Sequence, residues 1–347
     1  MSTRTKLVIG ANGFLGSHVT CQLVAEGASK GQVRAMVRPT ADTRAIDDLP
    51  LTRFHGDVFD TATLREAMEG VDDVYYCVVD TRAWLRDPAP LFRTNVEGLR
   101  NVLDVAVTAS SLRRFIFTST YTTVGRRPGH VATEDDVIDS RGLPPYVQSR
   151  VEAENLVMRY VAEAGLPAVA MCVSTTYGSG DWGRTPHGAL IAGAVFGKLP
   201  FVLNGIQLEV VGVDDAARAM ILAAEHGRIG ERYLISERMM ASPEVVRIAA
   251  DEAGVPAPRW SISVPTLYAL GALGSLKARL TGKDSELSLA SVRMMRAEAA
   301  VDSGKARREL GWQPRPVEES IREAARFWAA MRTGGKTAKD KSASRPE

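Results

Sequence analysis

An excess of either charge is almost absent from this chain: 43 Lys and Arg are balanced against 41 Asp and Glu, giving a formal charge of +2. The cations are scattered rather than blocked, so there is no basic field and no nucleic-acid partner is expected. Cysteine is scarce. Cys21, Cys77 and Cys172 are odd in number, far apart and each set in an apolar segment, which argues for buried free thiols over a disulfide framework. The five His show no ligand spacing, and no metal is expected. No apolar run approaches the roughly eighteen residues of a membrane span. The strand pattern begins by Lys6, which leaves no room for a secretory leader, so the expected setting is the cytosol, with no membrane partner. What the chain does have is core-forming material. Hydrophobic residues make up 45% of 347, compatible with one large domain or two lobes sharing a cleft.

The stretch Lys6–Gly16, KLVIGANGFLG, joins a short apolar run to a turn with glycines at 10, 13 and 16, and then to an amphipathic segment. A strand, a tight loop and a helix start are predicted. Gly10 permits the sharp bend, Gly13 a close backbone approach to a diphosphate, and Gly16 the packing of helix on strand. Asn12, Phe14 and Leu15 complete the loop and open the helix that would aim its N-terminus at the anion.

Segments of period two and period 3.6 alternate through the first half, which predicts a parallel sheet with crossover helices. Strands are expected at Lys6–Ile9, Val33–Val37, Thr52–His55, Asp73–Val79, Arg114–Thr118 and Ala168–Val173. Helices are expected at Phe14–Glu26, Thr61–Met68, Pro90–Thr108 and Pro145–Ala164. The fold class is α/β, a Rossmann-type doubly wound sheet whose ligand lies at the carboxyl ends of the strands. Residues 1–173 form this nucleotide-binding part, with returning segments near 205–235. The remainder, 174–333, reads mainly as a smaller helical lobe over the cleft: a helix at His187–Gly197, a strand at Leu208–Val213, a helix at Asp214–Glu225 and a strand at Glu231–Ile235, then helices at Ser242–Ala253, Pro265–Leu280, Glu286–Ala297, Asp302–Leu310 and Pro316–Met331. Residues 334–347 lack large apolar side chains and are expected to form a disordered tail.

Several residues carry chemistry in this frame. Arg38 follows the second strand, where an acidic residue would accept from a free ribose 2′-hydroxyl and an arginine instead complements a 2′-phosphate, so NADP(H) is expected. Asp57, in the turn GDVFD with Val58, is placed to accept from an adenine amino group, although Asp is common in turns for local reasons. Tyr146 and Arg150 are four apart at a helix start, on one face, and a cation beside a phenol lowers its pKa. Thr118, Ser119 and Thr120 offer hydroxyls at a strand's carboxyl end.

Taken in order, GANGFLGSHV, VRAMVRPTAD, GDVFD, TNVEG, FIFTSTYTTVG, the Tyr146 helix, GSGDWGRTPHG and VVGVDDAARA resemble the extended short-chain dehydrogenase/reductases, in the branch of dihydroflavonol reductases and hopanoid-associated sugar epimerases. The resemblance implies a catalytic trio at Thr120, Tyr146 and Arg150, and a buried Asn95. It also marks departures: Arg150 stands for lysine, Thr120 for serine, Val78 and Val79 for a small pair beside the cofactor, and Val173 for a proline near the nicotinamide. Arginine is a poor replacement in a lysine proton relay. The proton is therefore expected from Tyr146, from water, or from a hydroxyl of the substrate itself. The expected activity is an NADPH-dependent ketoreductase acting on a bulky aromatic or polycyclic ketone. Trp84, Tyr121, Tyr177 and Trp182 are candidates to stack on its rings, or else to serve in packing. Two alternatives stand: a sugar epimerase or dehydratase with tightly held NAD, and a cofactor-binding sensor or scaffold without turnover. A homodimer through the Pro90–Thr108 and Pro145–Ala164 helices is the family expectation.

Overall fold

In the computed structural model, residues 4–27, 31–125, 127, 129–296 and 300–343 are described. Strands run β1 (Lys6–Ile9), β2 (Val33–Val37), β3 (Thr52–His55), β4 (Asp73–Tyr76), β5 (Arg114–Thr120), β6 (Ala168–Val173), β7 (Thr175–Tyr177), β8 (Val202–Leu203), β9 (Gln207–Gly212), β10 (Arg232–Ile235), β11 (Arg238–Ala241) and β12 (Ser261–Ile262). Helices run α1 (Phe14–Ala25), α2 (Thr61–Met68), α3 (Ala89–Phe92), α4 (Leu99–Ala106), α5 (Pro145–Ala164), α6 (Pro186–Val195), α7 (Val213–His226), α8 (Ser242–Glu252), α9 (Val264–Thr281), α10 (Leu289–Arg296), α11 (Gly304–Leu310) and α12 (Val317–Ala343).

The alternation of Leu7, Val8 and Ile9 shows how the sheet is covered. Val8 joins one buried cluster with Val19, Leu23, Met220 and Trp312, beneath α1, α7 and α11. Leu7 and Ile9 join another with Leu64, Leu103, Phe117 and Leu156, beneath α2, α4 and α5. Side chains two apart share a face, so a wholly apolar strand needs helices on both sides. Seven strands pair in the order β10-β6-β5-β4-β1-β2-β3, all in parallel. The chain moves outward from β1 to β3 and then returns to β4 on the other side of β1. That reversal opens a crevice above the carboxyl ends of β1 and β4.

The smaller lobe packs α6, α8 and α12 around a three-stranded sheet, β11-β9-β7, with a third buried cluster including Ile191, Val210, Val245 and Trp328. The short strands β7, β8, β11 and β12 lie outside the strands expected from sequence. Three further differences are local. Residues 77–79 leave the sheet early at the rim, while β5 continues to Thr120. The expected helix Pro90–Thr108 is interrupted by a π-helical turn, Arg93–Gly98. The last helix continues through Ala343, into the stretch expected from sequence to be a tail. Ala297 and residues 344–347 lie outside the described residues.

Candidate active site

The glycine loop is shaped by contacts that admit no side chain. Gly10 has φ +82°, and a Cβ there would come within 3.0 Å of Val78 Cγ2. A Cβ on Gly16 would sit 2.2 Å from the Gly10 carbonyl oxygen, so α1 can approach β1 only with glycine at that position. Gly13 is the N-cap of α1, with no side chain capping it. The first-turn N–H groups of a helix have no intrahelical acceptor, and here they open toward the crevice with the positive end of the helix dipole. Such a helix start could hold a diphosphate. Asn12, Phe14 and Leu15 lie half-buried around it.

Arg38 is exposed immediately beyond β2. Asp57 turns its carboxylate onto the Phe59 N–H at 3.2 Å, and the buried Val58 packs where a side chain on Gly98 would collide with it at 2.6 Å. Beyond β4, Asp80 was not singled out from sequence, yet it joins three parts of the rim. Its backbone is clamped by Asn95, whose Oδ1 accepts from the Asp80 N–H at 2.8 Å and whose Nδ2 donates to the Asp80 carbonyl at 3.1 Å. The same Nδ2 lies 3.1 Å from Ser149 Oγ, and that hydroxyl donates to the Tyr146 carbonyl at 2.7 Å. The π turn is what delivers Asn95 to this position, fully buried between strand exit and helix start. Burial pushes the Asp80 carboxyl up. Hydrogen bonds from Arg82, with the charges of Arg82 and Arg38, outweigh it and leave the carboxyl below its usual value.

α5 carries a polar stripe at Tyr146, Arg150 and Glu154, four residues apart each time and all buried. Tyr146 packs with Ala83, Leu91, Val147 and Val151. Burial raises its phenol above the ordinary value; Arg150 pulls it back, and Asp80 adds to the rise. Arg150 is 1% exposed, its Nη2 donates to the Thr118 carbonyl, and its guanidinium lies 5.2 Å from the Phe117 ring centre. Its Nε and Nη1 have no partner among the described residues. A buried cation with two unused donors is costly unless acceptors arrive, and the hydroxyls of a nicotinamide ribose are such acceptors. The residues present therefore fit a dinucleotide.

Thr120 Oγ1 accepts from the Thr122 N–H at 3.3 Å and the Thr122 hydroxyl at 3.2 Å, so its lone pairs are engaged while its proton remains to donate. Val78 and Val79 are half-buried at the rim, and Val173 ends β6 opposite Thr120. Behind this rim, Glu154 accepts from Ser119, from Thr123 at 2.8 Å and from Arg232 at 2.9 Å, tying the end of β5 to α5 and β10. Its position, four residues after Arg150, was the signal that could have found it.

The four aromatic candidates do not line one wall. Tyr177 is 1% exposed in the core of the smaller lobe, its ring edge-on to His187. Tyr121 is buried with Val124, Ala132, Cys172 and Leu234, because the turn after Thr120 rotates it under β6. Trp182 is held between Phe327, ring centres 4.8 Å apart, and the Arg44 guanidinium at 4.8 Å, far along the chain from the Tyr146 cluster. Trp84 is half-buried between Ala83 and Leu85, which pack against Tyr146. A missed residue, His18, joins the lobes: Nδ1 is 2.6 Å from Asp214 Oδ1 on α7, and Nε2 is 3.0 Å from the Ser179 carbonyl.

No group of three or more His, Cys, Asp or Glu with metal-binding geometry occurs among the described residues, and none of their helices is long and apolar enough to cross a membrane. The model of the NAD-dependent epimerase/dehydratase family matches residues 6–236. Sterol demethylase protein B of Methylococcus capsulatus is 26% identical over 93% of this chain and 98% of that protein. The 4-hydroxy-2-methyl-3-oxo-4-farnesyl-3,4-dihydroquinoline-1-oxide ketoreductase of Stigmatella aurantiaca is 28% identical over 92% of this chain and 95% of its own. The crystal structure of gox2253 superposes with a TM-score of 0.82 at 31% identity, covering 94% of this chain and 98% of that one. The chain thus belongs to the NAD-dependent epimerase/dehydratase family and is an NAD(P)-dependent oxidoreductase.

Proposed function

We propose that this oxidoreductase is an NADPH-dependent ketoreductase acting on a bulky polycyclic or aromatic ketone. The observation that carries the reading is the buried pair on α5, Tyr146 and, four residues on, Arg150, whose Nε and Nη1 have no partner among the described residues. A phenol that rests protonated is ready to give its proton to a carbonyl oxygen. When bound, NADPH supplies a hydride to the carbonyl carbon.

The chain's own residues do the rest. First-turn N–H groups of α1 would hold the diphosphate, and the exposed Arg38 would take the 2′-phosphate. Arg150 would hold the nicotinamide ribose with its unpartnered Nε and Nη1. Its charge beside the phenol stabilises the phenolate left by proton transfer, while its bond to Thr118 keeps it a fixed electrostatic partner rather than a relay. Thr120 donates its free hydroxyl proton to the substrate carbonyl oxygen. Asn95 and Ser149 fix the height of Tyr146 through its backbone. The named substrates of similar proteins, a sterol and a farnesylated quinoline ketone by their printed names, support a polycyclic substrate here.

The test is NADPH oxidation across a panel of quinolone, tetralone and steroid ketones. Turnover of one class with NADPH preferred over NADH is the expected result. A tightly held NAD, released only on denaturation and paired with activity on a nucleotide sugar, would replace this reading.

A further inference from the structure

Helix α9 exposes the wrong kind of face. Leu267, Gly271 and Ala278 point inward and are buried. The opposite side carries Ala269, Leu273, Leu276 and Leu280, spaced i, i+4, i+7, i+11 along one stripe. Leu273 is 62% exposed, Leu276 52% and Leu280 79%, so this is apolar surface given to water on a full-length helix rather than a stray side chain. The two shoulders of the stripe are Lys277 and Arg279, both exposed. From Val264 through Lys283 there is no Asp or Glu, while Lys277, Arg279 and Lys283 are all present. Trp260, four residues before the helix, is 77% exposed.

Packing inside the lobe does not use this side. α10 seats on the glycine face instead: a Cβ on Gly271 would meet Val292 Cγ2 at 2.8 Å, and one on Gly274 would meet the Leu287 carbonyl at 1.8 Å. The end of the hairpin reaches the site. Asp284 Oδ1 accepts from the Arg86 N–H at 3.0 Å, in the loop that carries Ala83 and Leu85 against Tyr146.

We propose that this face of α9 docks on an anionic lipid bilayer. The leucine stripe lies among the acyl chains, Lys277, Arg279 and Lys283 meet the anionic headgroups, and the mouth of the cleft is set against the membrane surface. The helix lies on the bilayer and does not span it. Leucines flanked on both sides by cations, with no anion between, complement such a surface in charge as well as in polarity. An apolar ketone dissolved in the bilayer then has a short path to the cleft.

The test is sedimentation of the full chain with two kinds of vesicle, phosphatidylcholine alone and phosphatidylcholine with about one-third phosphatidylglycerol. The expected preference for the anionic vesicles is about tenfold or more. A Leu273→Ser/Leu276→Ser/Leu280→Ser variant should lose about tenfold or more on both, and Lys277→Glu/Arg279→Glu should lose the anionic preference. Salt titration of the wild type should weaken anionic binding, a readout that needs no variant to fold. Wild type that sediments with neither vesicle overturns the proposal. So does a wild-type dimer that the leucine variant turns into monomers without vesicle binding, since the face would then join two copies. Binding is read without substrate, so its failure leaves the ketoreductase reading intact, and the reverse also holds.

Discussion

The rim above β1 and the rim above β5 solve the same problem by different means. At the first, the glycine loop, the shape is backbone: carbonyl oxygen against Cα, with 2.2 Å left where a Cβ would have to fit at Gly16. At the second, the shape is side chain: Tyr146, Arg150, Thr120 and Asn95 are held by hydrogen bonds and burial. A backbone cradle cannot vary without losing its form. A side-chain site can exchange serine for threonine and lysine for arginine while keeping hydroxyl and charge, at the cost of changing how protons move.

The largest expected effect lies at the second rim. Tyr146→Phe should lower kcat/KM for ketone reduction by about 10²–10⁴, with NADPH affinity within a few-fold of wild type. A loss of only a few-fold, on ketones with and without a neighbouring hydroxyl, would assign the proton to water. Confined to substrates that carry the hydroxyl, it would assign the proton to the substrate. At the first rim, Gly16→Ala should destabilise the fold by about 3 kcal/mol, read as a lowered Tm, and weaken both nicotinamide cofactors together. If Gly16→Ala melts like the wild type, the backbone account of that rim fails. Arg38→Ala tests the boundary between the two modes, a side chain at the edge of a backbone site. It should weaken NADPH binding by about one to two orders of magnitude, about 1.4–2.8 kcal/mol, and spare NADH. Equal affinity of the wild type for the two cofactors would remove Arg38 from the site.

The smallest effect belongs outside both rims. Burial lowers His187 to about 4, so the folded protein keeps it neutral while the unfolded chain binds a proton near 6.5. Its contribution to stability is present above 6.5 and lost as the pH falls from there toward 4. Between pH 7.5 and 5.5 the loss should be about 1 kcal/mol, and a His187→Gln protein should be flatter over that interval in urea melts. Parallel curves for the two proteins would exclude His187 as a source of acid sensitivity.

How far each region could be read from sequence follows the same division. Backbone-built features announce themselves by composition: GANGFLG required glycine at three fixed places, and parallel strands required unbroken apolar runs. β1, β2, β3 and β6 were bounded correctly from sequence, as was α5. Side-chain networks across distant segments leave only isolated polar letters. Asp80 reads as one more loop acid until Asn95, Arg82 and Tyr146 are brought around it. Tyr121 and Tyr177 show the opposite failure, since an aromatic in a loop-like stretch gives no sign of whether it turns toward a cleft or into the core. The π turn at Arg93–Gly98 was invisible because the apolar period survives on both sides of it.

The return of the chain to the main sheet has a consequence for how the protein is made. β10 pairs with β6, yet all of β7, α6, β8, β9 and α7 come between them in the chain. As the polypeptide leaves the ribosome, β6 presents a bare row of N–H and C=O groups until residues 232–235 emerge to cover it. An amino-terminal fragment ending at Val173 would carry that open edge permanently. The nucleotide-binding sheet therefore gains its seventh strand only after the first elements of the smaller lobe have been made.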